Sequence, residues 1–390
     1  MKSRVNTLLL YAPNVPNTKR IVTDTLREEL HIELEKMPQL LQRNWLIHNV
    51  FKQGYRSLSY VLDWQEAFLE SPRLRIDACN INNLFRLIRY MRNIQHYEMI
   101  IILHSAAGDH MRTLLWNRYF FQKRKGRLVV CFGNEYSLMP EKISFAQSVG
   151  ADFIVTQLPI EGARWLYSDC RASKLIAAPA ALNPHLYHAT PNPRPFDIGF
   201  RGSFYSYAIG DNQRSQFIAK LKEMGNSWGL NCNIQYKLLE RDLWSDFLSR
   251  CYGIPGAESG TYYLEKDDHT QKAIARYLRR NPKARFETIA ELFFRKYSGA
   301  VSGKAISSRH FEPIGTQTCQ LLLEGEYNGI LKPEEHYICV KKDLSNIQEA
   351  IRKFKDDDYR QSIVKKSYEF VMSLHTYQHR VESILATVLD

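Results

Sequence analysis

The sequence lacks the cysteine spacing that a disulfide framework or a zinc site would show. Its seven cysteines are scattered, and no two of them form a C-x-x-C pair. An odd, scattered set indicates reduced thiols in a cytosolic chain. The sequence also has no Asp-x-Asp pair at a predicted strand end, so we expect chemistry without a bound metal.

Long apolar runs are missing as well. No stretch approaches the length of a membrane-spanning helix. The apolar run within residues 6–12 is too short for a secretory signal and is typical of a buried strand. We therefore expect a cytoplasmic protein, with contact at the inner membrane face as a second location.

A long basic tail is absent, although the net charge is +12. The Lys and Arg residues are spread along the chain, with short clusters at 123–127 and 279–285. Four interpretations remain open: a phosphorylated ligand, an anionic membrane surface, nucleic acid or a solvated basic surface. Because the charge is dispersed, nucleic acid ranks lowest, and we expect no nucleic-acid partner.

Short apolar segments alternate with amphipathic ones, and no internal repeat interrupts them. This alternation predicts parallel sheets with right-handed crossovers. The predicted strands are 6–12, 74–80, 98–104, 127–133, 152–157, 174–181, 196–203, 233–239, 318–324 and 337–340. The predicted helices include 82–95, 161–168, 214–225, 243–251 and 344–355, the last with a Ser-x-x-Gln capping box.

A segment rich in Pro and Asn, residues 183–196, divides the alternation into two halves and is interpreted as a linker. The predicted fold class is α/β, with two Rossmann-like domains facing each other across a cleft. We place an acceptor-side domain at 1–187 and a donor domain at 196–374. The helix at 375–390 is expected to pack back towards the first domain. In such sheets, ligands bind beyond the carboxyl ends of the strands.

His104 follows a strongly apolar predicted strand and precedes a Gly-Asp turn. A histidine at this place can orient or deprotonate a substrate hydroxyl. It can equally be a strand-end histidine that is hydrogen-bonded to the backbone.

Asn134 and Glu135 follow the next predicted strand. Such polar groups at a strand end can bind sugar hydroxyls. Alternatively, they cap the helix that is predicted to begin near Pro140.

Arg201, Gly202 and Ser203 form a predicted turn at the end of the strand segment 196–203. Glycine allows backbone N–H groups to approach a phosphate closely. Glu258 lies in a separate Gly-rich loop, and its carboxylate is a further candidate for a functional group of the site.

The stretch Ser-Ser-Arg-His-Phe-Glu-Pro-Ile-Gly-Thr, residues 307–316, contains Arg309, Glu312, Gly315 and Thr316. A carboxylate can accept two hydrogen bonds from a vicinal diol such as a ribose. The glycine turn and helix start that follow Glu312 would then face a diphosphate that Arg309 neutralises. The alternative is a capping glutamate beside a surface arginine.

The R-x-F-E-x-x-G core of this stretch, the segment at 196–203 and the terminal stretch at 375–385 resemble one known family. They are similar to the C-terminal domain of nucleotide-sugar glycosyltransferases with the two-domain GT-B fold. The resemblance is to the branch of the spore-maturation CgeB proteins and the family 4 retaining enzymes. It covers about residues 190–390.

The resemblance implies that Glu312 binds the ribose of the nucleotide. Family 4 enzymes usually carry another glutamate eight residues earlier, where this chain has Lys304. Either this motif is degenerate, or Glu258 takes that role from its own loop. Arg201, Lys304 and Arg309 would stabilise the leaving diphosphate, and His104 and Glu258 are the catalytic candidates.

The activity implied is sugar transfer from a nucleoside diphosphate sugar to a hydroxyl of a glycan or lipid-linked acceptor. The resemblance implies a retaining, metal-independent enzyme of bacterial surface polysaccharide synthesis that needs no cofactor. The alternative is a non-catalytic sugar-nucleotide-binding protein with a degenerate site, which the lysine at position 304 favours.

Overall fold

The computed structural model describes residues 4–15, 17–32, 38, 44, 54–297 and 299–390. This part of the chain divides into two compact units. The second holds Gln157–Leu166 and Ala177–Ser383, and the first holds the rest. The final seven residues, Ile384–Asp390, therefore belong to the first unit.

The first unit is built on a sheet in the order β2-β1-β3-β4-β5-β6, and β1 to β5 pair in parallel. The strands contain apolar runs such as 8–10 and 100–102 because parallel strands are covered on both faces. They are β1 (Val5–Tyr11), β2 (Leu74–Asn80), β3 (Met99–Ile102), β4 (Arg127–Cys131), β5 (Phe153–Thr156) and β6 (Lys174–Ala177).

Helices connect these strands. They are α1 (Thr18–Glu29), α2 (Ser59–Leu69), α3 (Leu84–Arg92), α4 (Arg112–Trp116), α5 (Arg118–Gln122), α6 (Met139–Val149) and α7 (Ile160–Leu166). Asn17 and Asn83 cap α1 and α3, each accepting from a backbone N–H three residues later.

The second unit repeats the plan with a parallel sheet in the order β13-β12-β9-β7-β8. Its strands are β7 (Phe196–Arg201), β8 (Cys232–Gln235), β9 (Cys251–Gly256), β12 (Cys319–Leu323) and β13 (Ile338–Val340). In both units the second strand lies outside the first, so the strand order reverses between the first and the third strand. That reversal is where doubly wound sheets bind ligands.

The helices of this unit cover both faces of its sheet with apolar side chains. They are α8 (Gln213–Met224), α9 (Arg241–Ser249), α12 (Ser308–Gly315), α13 (Ile347–Lys355), α14 (Asp357–Leu374) and α15 (Tyr377–Leu389), whose last residues belong to the first unit.

An insertion lies between β9 and β12. It comprises the antiparallel hairpin β10 (Ser259–Thr261) and β11 (Gly303–Ala305) and the helices α10 (His269–Arg280) and α11 (Phe286–Ile289). A separate apolar cluster that includes Tyr263, Ile274 and Phe294 holds the insertion together.

All ten predicted strands are present, and their ends differ from the predicted ones by four residues at most. The structure differs from the sequence predictions at two of these elements. No strand was predicted before the Glu258 loop, but β9 runs through Gly253 and Pro255 there and occupies the centre of the sheet. The predicted capping box is absent too, because α13 begins at Ile347 with Asn346 before it and without a side-chain cap.

All seven cysteines are free thiols, and five of them are buried. None of the described helices has the length and apolarity needed to cross a membrane. Within the described residues, no group of three or more His, Cys, Asp or Glu side chains is placed to hold a metal ion.

Candidate functional site

A pocket opens at the carboxyl ends of β7 and β9, the point of strand reversal in the second unit. Its volume of about 160 Å³ far exceeds the ~10–15 Å³ that one water needs. Three arginines contribute to its wall together with the residue that precedes α12. The polar residues of the wall include Arg201, Ser203, Arg214, Ser307, Arg309 and His310.

Arg214 lies in the first turn of α8. Its guanidinium stacks 3.5 Å over the Tyr205 ring, and its Nη2 donates to the Ser203 carbonyl at 2.6 Å. Its Nε–H is buried and has no acceptor in the part of the chain that the structure describes. Burial, with a smaller contribution from the nearby Arg309 charge, lowers the pKa of Arg214. An unsatisfied buried donor costs ~1–3 kcal/mol, so this site favours an anionic acceptor.

Arg309, on α12, supplies a second cation to the same pocket. Its guanidinium lies 4.2 Å from the centre of the Trp244 ring. Its Nη1 is buried, and no described residue accepts a hydrogen bond from it. Two guanidinium groups with unsatisfied donors therefore line one pocket, an arrangement that suits the oxygens of a diphosphate.

Glu312 lies behind this lining and is only 2% exposed. Its Oε2 accepts a hydrogen bond from the Trp244 indole at 2.6 Å and lies 3.8 Å from Nε of Arg309. Glu312 thus contacts two residues of the pocket wall and fixes their positions. The carboxylate retains further acceptor sites for a ligand hydroxyl.

The helix α12 begins earlier than the sequence indicated. It starts at Ser308, so Glu312 lies inside a helix and does not precede one. The Ser307 N–H donates to Nδ1 of His310, and the ring therefore carries its proton on Nε2, which donates to the Ala257 carbonyl at 3.0 Å. Burial lowers the pKa of His310 to about 4. The helix N-terminus at the pocket adds a partial positive charge.

The predicted residues Arg201, Gly202 and Ser203 all line the pocket. Arg201 is engaged within the protein, because its Nη1 donates to the Phe200 and Asn233 carbonyls at 2.8 and 2.9 Å. Arg201 is therefore less available to a ligand than Arg214, which the sequence analysis did not single out.

The other candidates of the second unit are not among the residues that line the pocket. Lys304, on β11, forms an ion pair with Asp211. Glu258, between β9 and β10, accepts a hydrogen bond from the Tyr327 N–H at 2.8 Å, and burial raises its pKa.

Gly315 and Thr316 end α12 rather than begin a helix, so the expectation that they face a diphosphate at a helix start is wrong. A Cβ at position 315 would lie 2.6 Å from a methyl group of Leu182. Close packing therefore requires a glycine at this position. Thr316 is fully buried and donates to the Pro313 carbonyl at 3.1 Å.

The structure places His104 directly after β3, at the strand reversal of the first unit. Its ring stacks on Trp64 with centroids 5.1 Å apart. Both ring nitrogens are buried and lack partners among the described residues, so they are not held by the backbone. Burial lowers the pKa of His104 to about 3, and the ring is neutral at pH 7.

Asn134 and Glu135 follow β4 and do not act as caps of α6, which begins at Met139 without a side-chain cap. Asn134 donates to Asp109, whose carboxylate also accepts from the Tyr55 hydroxyl at 2.9 Å. Asp109 was not among the residues predicted from the sequence.

Glu135 is buried. Its Oε1 accepts from the hydroxyls of Thr156 at 2.6 Å and Tyr167 at 2.8 Å. These bonds occupy Oε1 of a carboxylate that was a candidate for binding sugar hydroxyls.

Arg214 and Trp244 complete the pocket but were not selected from the sequence. Arg214 lies eleven residues after Ser203 in the chain, and only folding brings its guanidinium back to the Ser203 carbonyl. Trp244 lies in the predicted helix 243–251, to which no functional residue was assigned. An indole that packs against an arginine leaves no periodic signal in a sequence.

Residues 292–386 match the family model described as "Glycosyl transferase-like". Among curated proteins, no sequence matches the chain. Sucrose-phosphate synthase from Thermosynechococcus elongatus has a similar structure, with a TM-score of 0.50, 10% identity and coverage of 98% of each chain.

Two further structures are similar at lower scores. BGT of phage T4 in complex with its UDP-glucose substrate has a TM-score of 0.48 and 10% identity, with 98% of this chain and 99% of that chain covered. HepE from Anabaena in complex with UDP-glucose has a TM-score of 0.46 and 9% identity, with 98% and 100% covered.

The family match includes Arg309 and Glu312 and confirms the resemblance that their motif indicated. The two parallel sheets and the similarity to sucrose-phosphate synthase confirm the α/β fold class with two Rossmann-like domains, the GT-B class. The chain therefore combines this two-domain fold with a glycosyl transferase-like segment at residues 292–386.

Proposed function

We propose that this protein is a glycosyltransferase that binds a nucleoside diphosphate sugar in the pocket of its second unit. The observation that carries the proposal is the pair Arg214 and Arg309, which line one pocket at the strand reversal. Each has one buried guanidinium nitrogen without an acceptor among the described residues. The family match over residues 292–386 supports the same conclusion.

In this proposal Arg214 and Arg309 bind the diphosphate and stabilise the charge that develops on it as the glycosidic bond breaks. The N-terminus of α12 contributes its partial positive charge. Glu312 accepts hydrogen bonds from the ribose hydroxyls and fixes the Trp244 indole beside them. These groups would act without a metal, because cations of the chain already neutralise the leaving group.

The acceptor in this proposal is a hydroxyl of a glycan or a lipid-linked glycan, in the synthesis of a bacterial surface polysaccharide. Retention of the configuration at the anomeric carbon is implied only by the resemblance to family 4 enzymes. His104 is the candidate that receives or orients the acceptor proton, because its ring is neutral and both ring nitrogens lack partners among the described residues.

A non-catalytic sugar-nucleotide binder is the second candidate function. Lys304 pairs with Asp211, and Glu258 is held by the Tyr327 N–H, so neither replaces the missing sugar-facing glutamate without rearrangement. Slow donor hydrolysis, followed over hours, distinguishes the two functions because a pure binder leaves the donor intact.

The proposal is tested by a thermal-shift screen of nucleosides, nucleoside monophosphates, diphosphates and diphosphate sugars. A ligand at a hundred times its dissociation constant should raise the unfolding free energy by ~2.7 kcal/mol. Arg214→Gln and Arg309→Gln should each weaken diphosphate binding about tenfold to a hundredfold, because each removes charge-assisted hydrogen bonds. Nucleoside binding should change much less.

The matched control is Arg279→Gln, which removes an exposed arginine of α10. It should leave diphosphate affinity unchanged. If no nucleotide stabilises the protein, or if the control weakens binding as much as the pocket variants, the proposed function is wrong.

A further inference from the structure

Helices α3, α4 and α5 lie on one face of the first sheet. The crossovers from β2 to β3 and from β3 to β4 run in the same direction along the strand order β2-β1-β3-β4. Right-handed connections therefore place their helices on the same side. Contacts between α3 and α5 and between α4 and α5 confirm this placement.

The segment that contains these three helices carries much of the positive charge of the chain. One of its cations, Arg124, is mostly buried and pairs with Asp152 at 3.0 Å. Residues 84–127 contain nine Lys and Arg residues and two Asp and Glu residues, a net +7 of the chain's +12. Both acidic side chains are engaged elsewhere: Glu98 accepts from the Asn6 N–H, and Asp109 accepts from Tyr55. Glu29 on α1 pairs with Arg86 at 2.9 Å.

Large apolar side chains are exposed on the same face. Phe85 is 75% exposed, Trp116 73% and Tyr119 60%. The three helices already bury other residues against the sheet, among them Leu87, Leu114 and Phe121. The exposed rings are therefore additional to the core and do not arise from incomplete packing.

Rings and cations are interleaved on this surface. Phe85, Arg89 and Arg92 follow one another at i, i+4 and i+7 along α3, so they share one stripe of the helix. Arg112 lies 5.5 Å from the Trp116 ring centre, and Lys123 lies 4.2 Å from that of Tyr119. This combination is typical of helices that lie in the interfacial region of a membrane.

We propose that the outward face of α3, α4 and α5, here called the α3–α5 face, docks on a bilayer rich in anionic phospholipids. Arginines would contact the phosphate headgroups, and Phe85, Trp116 and Tyr119 would enter the boundary of the acyl chains. The inference deepens the proposed function, on which it rests for its purpose: a bilayer-bound enzyme would meet a lipid-linked acceptor.

A bilayer fits this surface better than nucleic acid does. Leu84 and Ile88 extend the exposed apolar stripe with aliphatic side chains, which cannot stack on bases in the way that aromatic rings do. An acyl boundary accepts aliphatic and aromatic side chains alike.

The test is co-sedimentation of the protein with vesicles, without nucleotide. One set contains phosphatidylglycerol mixed with phosphatidylcholine, and the other contains phosphatidylcholine alone. Arg89→Gln with Arg92→Gln should weaken binding to the anionic vesicles about 25-fold, as each charge near a membrane surface changes partitioning about fivefold. Phe85→Ser with Trp116→Ser should weaken it about tenfold or more.

The matched control is Arg279→Gln with Arg280→Gln on α10, which removes the same charge from the second unit. The proposal requires the control to bind vesicles like the unchanged protein. It is overturned if the control loses as much binding, if anionic vesicles are not bound, or if phosphatidylcholine alone binds equally well. It is also overturned if random duplex DNA binds more tightly and depends on the same arginines.

Melting temperature and the nucleoside diphosphate shift are measured on every variant. Both should be unchanged, because the substituted side chains are exposed and lie in the first unit, whereas the nucleotide pocket lies in the second. If a variant loses vesicle binding while the nucleotide still raises its melting temperature as before, the substitution affects the α3–α5 face alone. Absence of any nucleotide shift in the unchanged protein would count against the proposed function alone.

Discussion

Glu312 combines an observed structural role with the ligand contact proposed for it. Its carboxylate accepts the Trp244 indole N–H and lies close to Arg309, and both of these residues line the pocket. The sequence motif indicated a ligand contact, and the structure adds a positioning role. Removing the carboxylate would leave a buried indole donor unsatisfied, at a cost of ~1–3 kcal/mol.

Glu312→Ala should lower nucleotide affinity about a hundredfold, because it removes two charge-assisted hydrogen bonds to the ribose. A 2′,3′-dideoxy nucleotide should show the same loss with unchanged protein and almost none with the variant. Isothermal titration of both nucleotides against both proteins gives the four affinities of a double-mutant cycle. Equal discrimination by the two proteins would mean that Glu312 acts on Trp244 and Arg309 alone.

His104 should make stability depend on pH. Its folded-state pKa of about 3 is below its ordinary value of 6.5, so the unfolded chain binds a proton that the folded chain does not. Its contribution is fully present above pH 6.5 and is lost as pH falls towards 3. His104→Phe should therefore reduce the slope of unfolding free energy by up to ~1.4 kcal/mol per pH unit below pH 6.5.

Urea unfolding at several pH values between 5 and 7 measures that slope. His269→Asn, a substitution of an exposed side chain, is the control and should leave it unchanged. An unaltered slope in His104→Phe would mean that the ring becomes charged without penalty in the folded protein.

At the scale of elements, the sequence predicted what is periodic and missed what depends on distant partners. Runs such as residues 100–102 and 321–323 indicate buried strands directly. Strand β9 escaped notice because Gly253 and Pro255 are unusual in a central strand. Its glycine is explained only by the fold, since a Cβ at 253 would lie 2.5 Å from the Phe354 ring.

The same distinction applies to the candidate site: local patterns were recognised in the sequence, and contacts between distant residues were not. The loop at Arg201–Ser203 was found because it follows a predicted strand, and it does line the pocket. The pairing of Lys304 with Asp211 joins residues 93 positions apart, and no local pattern reports such a contact.

Lys304→Met tests whether the β10–β11 hairpin serves stability or donor binding. The ion pair with Asp211 is largely buried, so loss of the lysine should cost about 3 kcal/mol by leaving a carboxylate unpaired. Nucleoside diphosphate affinity should hardly change. Urea unfolding and titration measure the two effects separately.

Lys272→Gln provides the comparison, because its 3.9 Å pair with Asp268 leaves the lysine exposed and should cost ~1 kcal/mol or less. A loss of diphosphate affinity in Lys304→Met as large as that in Arg309→Gln would instead assign Lys304 to the donor site.

For the whole molecule, the two units divide the expected tasks. The second carries the arginine pocket, and the first carries His104 and the α3–α5 face. Both repeat the same strand order, so each presents a reversal point for a ligand.

Turnover should survive chelation. The cations of the pocket are arginines, and within the described chain no cluster of three or more His, Cys, Asp or Glu residues could hold a metal ion. Transfer or hydrolysis of the sugar nucleotide identified by thermal shift should proceed unchanged in EDTA. Loss of turnover with EDTA, restored by magnesium or manganese, would contradict the expectation of metal-independent chemistry.

The free thiols provide an internal reporter for each unit. Cys79, Cys131 and Cys170 lie in the first unit and are buried, as are Cys251 and Cys319 in the second. Burial raises the pKa of Cys79 and Cys319 to about 12, so their thiolates are scarce until the surrounding structure opens. Alkylation followed by peptide mass spectrometry would therefore time the opening of each unit separately, and would show which of the two a bound nucleotide keeps closed.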